Sequence, residues 1–278
     1  MPPCILTFVT RPDRTPSIAE TVAAQLRGRI LSGDLDDGAL LPTQELLLAE
    51  FAVSKPSLRE ALRILETEGL VTVQRGAIGG ARVHRPKAEN AGYMLGLVLE
   101  ARSAGLDDVG AALCQLEPVC ARLCAERPDR ADTAVAALRK AHEASIDAAA
   151  VGDNVVITAT ARAFHEILVN ECGNETMIVM IGALEELWST HEQAWAVDAQ
   201  DSGSFPDRSH LHRSLDDHAR LIDAIEAGDA DAAARLAREH LERTVFLEVA
   251  RRANTAVAVS SHLRGAAARR DEASEHVS

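Results

Sequence analysis

Residues 54–84 constrain this chain more than any other stretch, because as a helix they sort onto two faces with different needs. Leu58, Ala61, Leu62 and Leu65 recur at the i, i+3, i+4, i+7 spacing of a buried stripe. Lys55, Arg59 and Arg63 fall one turn apart in a basic row on the other side. Ser54 is a predicted N-cap, and Pro56 sits in the first turn, where its missing N–H costs nothing. Gly69 is placed to end the helix as its C′ residue. Two β-patterned runs follow, residues 70–74 and 81–84, joined by the glycine-rich turn 75–80. A basic-faced helix followed by a basic hairpin is the outline of a winged helix-turn-helix.

Upstream residues complete that outline. Ser17 and Glu20 form a capping box that opens an amphipathic helix with Val22, Leu26 and Ile30 inward, and Gly33 stops it. Leu41-Pro42-Thr43 begins a second short helix reaching Phe51, and Ala52-Val53-Ser54 is the tight turn into the basic helix. Three basic residues on one helix face are also what a solvated surface shows. The order helix, loop, helix, turn, helix, hairpin within about 70 residues is what points to a DNA-reading module.

The segment resembles the GntR family of bacterial transcription regulators. Leu41-Pro42, Ser54-Lys55, the run Leu58-Arg59-Glu60-Ala61-Leu62, Leu65-Glu66, Gly69-Leu70-Val71 and Gly76 carry the likeness, over residues 16–85. The resemblance implies DNA contacts from Lys55 and Arg59 on the helix and from Arg75 and Gly76 at the wing tip; Ser57 is a further DNA-binding candidate on the same helix, and Arg63, near its end, reads either as a phosphate contact or as a plain surface charge. Glu45 stands where the family usually places an arginine, and Lys55 where arginine is commoner. Lysine is a point charge without arginine's bidentate fork, so the operator is expected to differ from the usual one.

A length of 278 residues suffices for two independent cores. No run of 18 apolar residues occurs, so no membrane span is expected. The five cysteines, an odd number with no C-x-x-C pair, read as buried free thiols of a reducing cytoplasm. The net charge of −13 is unevenly spread. Residues 1–87 hold 11 Lys/Arg against 10 Asp/Glu, and residues 88–278 hold 18 against 32. Within 52–87 the ratio is 7 to 3, so positive charge collects where phosphates would lie.

Beyond Arg85-Pro86-Lys87 the pattern is helical, with helices expected over 90–104, 107–126, 130–150, 154–172, 175–196, 209–227 and 230–252 and a long loop over 197–208. The fold class expected is mostly α: an N-terminal winged helix-turn-helix (16–86) and a C-terminal all-α antiparallel helical bundle (87–252). Residues 1–15 read as a disordered lead-in and 253–278 as a flexible tail.

Three histidines of the bundle invite a metal reading. Gly228-Asp229 is a helix-to-helix turn; His218 lies ten residues before it and His240 eleven after. In an antiparallel hairpin both then stand at one level, roughly 15–17 Å from the turn. His165 can approach from another helix. Three neutral imidazoles converging in a bundle suit Zn²⁺ or a similar divalent metal, with water or ligand completing the shell.

This half resembles the FCD effector domain of one GntR subfamily, through Leu116-Glu117-Pro118, Phe164-His165, Asn174, Asp217-His218, Gly228-Asp229 and His240. The resemblance implies a metal held by His165, His218 and His240, an effector pocket that includes Leu113, Glu117, Ala161 and Asn174, and a homodimer. Two positions depart: Ala161 replaces a metal-binding aspartate, and Leu113 replaces a pocket arginine. Both changes point to a more apolar effector, such as a hydrophobic acid or a fatty acyl thioester.

The function expected is therefore a cytoplasmic, ligand-responsive repressor that binds a short inverted-repeat operator in double-stranded DNA as a homodimer. A regulator for which the metal itself is the signal is the alternative. A metal-dependent hydrolase is disfavoured: His191-Glu192 and His165-Glu166 begin like H-E-x-x-H but have Trp195 and Val169 where the second histidine belongs.

Overall fold

Glu20 N–H donates to Ser17 Oγ at 3.2 Å while Ser17 N–H donates to Glu20 Oε2 at 2.6 Å, closing the capping box that starts α1 (Ile18–Ser32). Gly33, at φ +89°, ends it. The computed structural model describes residues 15–73, 80–86, 88–203, 205, 208–251 and 256–257. These fall into two compact units that divide between Pro86 and Lys87.

In the first unit α2 (Gln44–Phe51) is capped by Thr43, and α3 (Lys55–Thr67) by Ser54, whose hydroxyl accepts from the Ser57 N–H. Ala52 makes the turn between them in a left-handed conformation, φ +51°. Gly69, at φ +73°, lets Leu70 N–H reach back to Leu65 O at 2.9 Å, which closes α3 as a Schellman motif. Strand β1 (Val71–Val73) then pairs antiparallel with β2 (Ala81–Val83), Val71 opposite Val83. Each is shorter than the alternation suggested. Leu41 N–H donates to Ala81 O and Val83 N–H to Ala39 O, both at 2.8 Å, so residues near Leu40 form a third, unexpected edge on the hairpin. Leu26, Ile30, Leu47, Leu58, Leu65 and Val83 make the core, with α1 packed on α3.

The second unit is helical: α4 (Ala88–Ala101), α5 (Leu106–Glu126), a π-helical turn (Ala131–Val135) leading into α6 (Ala136–Val151), α7 (Asn154–Asn170), α8 (Glu175–Ser202), α9 (Arg208–Ala227) and α10 (Ala230–Arg251). α10 packs along α5, α6 against α7, and α8 against both α4 and α7. The α4–α8 crossing is close; a Cβ on Gly92 would meet the Ala183 carbonyl at 3.0 Å. Phe164, Leu168, Ile181, Leu221 and Ile225 lie at the centre.

Two expectations need correction. The loop expected to begin at residue 197 is helical through Ser202, because Ala196 and Ala199 are buried one turn apart and no breaker precedes Gly203, the left-handed C-cap. Within the stretch expected to be a flexible tail, Ala256 bridges to Gly105, Val257 N–H donates to Ala104 O at 3.1 Å, and the Val257 side chain is buried in the core. That apolar side chain finds a hydrophobic slot by the α4–α5 turn that no local periodicity announces.

Candidate functional site

On α3 the buried stripe is Leu58, Ala61 and Leu65, and the opposite face carries Lys55, Arg59 and Arg63, all exposed. None of the three forms an ion pair with a described residue. Ser57 is half-buried, its hydroxyl 2.9 Å from that of Ser54. Glu45 is exposed in the first turn of α2, where a carboxylate favours the helix dipole. Arg75 and Gly76 lie outside the described residues.

In the helical unit α7, α9 and α10 bring His165, His218 and His240 together. His240 Nε2 lies 3.2 Å from His218 Nε2 and 3.3 Å from His165 Nε2. A tetrahedral ion with Zn–N bonds of about 2.0–2.1 Å has ligand edges of about 3.3–3.4 Å, so these two spacings match it, and all three ligand atoms lie within 4.8 Å of one another. Burial lowers the pKa of His165, puts that of His218 well below the ordinary value and brings that of His240 to about 4, leaving neutral lone pairs. Glu117 Oε1 lies 2.6 Å from His165 Nδ1, and Asp217 Oδ2 lies 3.6 Å from His240 Nδ1. The Glu117 contact fixes the His165 ring as an outer-shell partner of a metal does, whereas the Asp217–His240 approach is an ion-pair distance too long for a hydrogen bond. His218 stacks on Phe164 at 3.8 Å. The donor set fits a divalent metal such as zinc.

A cavity of about 130 Å³ opens beside His165 and His240. Leu113, Ala161, Ile157, Leu211 and Leu241 give it apolar walls, and Trp188, Trp195 and Phe205 an aromatic one. It also holds charge. Arg162, buried, donates through Nη2 to Glu185 Oε2 at 2.8 Å and to the Glu185 carbonyl at 2.6 Å. Its Nε is 3.2 Å from Glu166 and its Nη1 3.5 Å from Glu192. Burial alone would lower the Arg162 pKa, but Glu185, Glu192 and Glu166 outweigh it and keep the guanidinium charged. Burial also raises Glu117 and Glu185 to about 7.

Residues 18–83 match "Bacterial regulatory proteins, gntR family" and residues 108–243 match "FCD domain". The HTH-type transcriptional repressor NanR of Citrobacter rodentium (strain ICC168) is 30% identical over 237 residues, 83% of this chain and 85% of that protein. Its namesake from Salmonella schwarzengrund (strain CVM19633) is 30% identical over 83% of this chain and 84% of its own length. The chain belongs to the GntR family. Among solved structures, Streptococcus agalactiae GntR superposes with a TM-score of 0.60 at 23% identity, over 80% of this chain and 96% of that one, and so shares the fold. A GntR-family regulatory protein is not an enzyme, and no described helix is long and apolar enough to cross a membrane.

The histidines expected to converge in this GntR-family protein do so, and Leu113, Glu117 and Ala161 line the cavity. Asn174 does not line it. Its Oδ1 accepts from Met177 N–H at 3.2 Å and caps α8, so the asparagine serves the helix end and is not a pocket group. The expectation of an apolar pocket is half right, because Arg162, Glu185 and Glu192 line it too. Sequence reading missed these three and both tryptophans. The false start His191-Glu192 was their one local signal, and it looked like a failed metal motif. Of the cysteines, Cys114, Cys120, Cys124 and Cys172 are free and buried. Burial raises the Cys114 thiol to about 11 and the Cys124 thiol to about 12, which suits packing and not redox chemistry.

Proposed function

We propose that this chain is a ligand-responsive transcriptional repressor that binds an inverted-repeat operator as a homodimer, with the α5–α10 bundle as its effector domain. The observation that carries the reading is the exposed row Lys55, Arg59 and Arg63 on α3, set on a packed three-helix unit and facing no described acidic partner. The NanR relatives, named as HTH-type repressors, support repression as the sign of control.

An exposed apolar row on α4, Met94, Leu97 and Val98, supports self-association of the helical units. In the bundle, His165, His218 and His240 would hold a zinc-like ion at the inner end of the cavity, where it offers a Lewis-acidic anchor for an acidic group. The chain's own residues shape the remainder: Glu117 orients His165, and apolar and aromatic walls enclose the body of a small effector. Effector occupancy would favour one spacing of the two DNA-reading units over another. The site of action is the cytoplasm, where the operator lies.

Electrophoretic mobility shift with the full-length protein and fragments from its own promoter region tests this at physiological salt. Saturable binding that prefers those fragments over random duplex is the expected result. Equal affinity for both, with and without chelator, would remove the proposal.

A further inference from the structure

A second cleft, of about 320 Å³, opens between α9 and α10 and meets the first cavity, because His210, Ser214 and Thr244 line both. Its remaining walls are Arg213, Asp217 and Arg243. Arg213 is exposed and forms no ion pair or hydrogen bond with a described residue. Arg243 Nη2 donates to Asp217 Oδ2 at 2.6 Å, which occupies one N–H group and holds the guanidinium in place while its other donors stay available. The same carboxylate is shared, with Arg220 3.9 Å from Oδ1 and His240 Nδ1 3.6 Å from Oδ2. The Ser214 hydroxyl has no hydrogen-bond partner among the described residues.

Charge here runs against the surroundings. Residues 88–278 hold 18 Lys/Arg against 32 Asp/Glu, yet the cleft presents two arginines and one aspartate. Its place relative to the histidines is fixed by helix geometry. Ser214 precedes His218 by four residues on α9, and Thr244 follows His240 by four on α10, both steps leading away from the Gly228 turn. The cleft therefore stands about one helical turn, roughly 5–6 Å, beyond the level of those two histidines.

We infer that this cleft is an oxyanion subsite for a phosphoryl dianion, held by the guanidiniums of Arg213 and Arg243 and the hydroxyl of Ser214. Two guanidiniums and a hydroxyl offer more donors than one carboxylate can accept, and a phosphate monoester or phosphonate has three terminal oxygens to meet them. The inference rests on the cavity being the effector site and narrows what enters it to a short acid whose far end carries a phosphoryl group. It revises the expectation of a hydrophobic acid, because an alkyl tail reaching this cleft would lie against charged groups.

Isothermal titration calorimetry of the full-length protein, zinc-loaded and freed of excess metal, tests this with ω-phosphono carboxylic acids of two to five carbons. Each is compared with the dicarboxylic and the monocarboxylic acid of matching chain length. Tryptophan emission is followed in parallel, since both tryptophans of the chain line the first cavity. At least one phosphono acid is expected to bind about tenfold tighter than both counterparts. Arg213→Gln is expected to bring it to within about twofold of its monocarboxylic counterpart. Equal binding by the three classes, or a preference that survives Arg213→Gln, would overturn the subsite and leave the cavity as an effector pocket. No heat and no change in emission with any probe would overturn both readings.

Discussion

Glu117 holds His165 by its Nδ1 at 2.6 Å, and through that contact it sets which nitrogen His165 turns toward the other two histidines. When Glu117 is ionised, its Oε1 accepts a hydrogen bond from His165 Nδ1–H. Nε2 is then left as a lone pair 3.3 Å from His240 Nε2. Glu117→Gln is expected to weaken zinc binding by about 10–100-fold, because the amide is a poorer acceptor and can present the wrong end. Competition against a chromophoric chelator measures this. Unchanged affinity would mean the three imidazoles bind no metal or need no orientation.

The same glutamate predicts a pH dependence for the chelator-treated protein. Burial raises Glu117 from 4.5 to about 7. Between those values the unfolded chain has released a proton that the native state keeps. The group's contribution is therefore fully present below pH 4.5 and is lost as pH rises to 7. Glu117→Gln removes that loss. Relative to wild type, the variant should gain on the order of 1–3 kcal/mol between the two ends of that window, followed by urea denaturation. His240, brought down to about 4 by burial, acts oppositely: stability is lost as pH falls from 6.5 toward 4, in both proteins alike. A difference between variant and wild type that stays flat with pH would contradict the raised carboxyl.

Arg162 and Glu185 are both buried, with a contact of 2.8 Å. Removing one partner strands the other. Arg162→Met should destabilise by about 3–5 kcal/mol, and adding Glu185→Met should recover much of the loss. Chemical denaturation of the two variants decides it. Equal loss in single and double variants would mean that the pair contributes through shape alone.

On α3, Arg59→Ala should weaken operator binding by about 1–3 kcal/mol and relax specificity at one base pair. Lys55→Ala should weaken all sequences alike and reduce the salt slope by about 1. Binding isotherms at several salt concentrations separate the two. Wild-type behaviour in both variants would put the reading surface elsewhere.

Val257 is 1% exposed, far along the chain from the helices it fills against. Val257→Asp should lower stability by at least about 2 kcal/mol by burying an unpaired carboxylate. A thermal melt of the full chain reports it. An unchanged midpoint would place that side chain in water.

Much of this was legible in the order of residues. Ser17 with Glu20, Ser54 with Pro56, and Gly69 state their helix ends outright, because capping acts over three or four residues. The offsets of His218 and His240 from Gly228-Asp229 brought two ligands to one level, since a tight antiparallel turn converts sequence distance into height.

Arg162 was different. Its partner Glu185 lies on another helix, and Glu192 two turns further on, so which carboxylates enclose the guanidinium was decided by how α7 packs on α8. The seating of Val257 and the end of α8 were settled in the same way. The sequence by itself determined helices, caps and the convergence of two histidines, because those depend on hydrogen bonds and periodicities a few residues long. The tertiary structure alone decided the charge and shape of the cavity, because these arise where side chains from distant helices compete for one water-poor space.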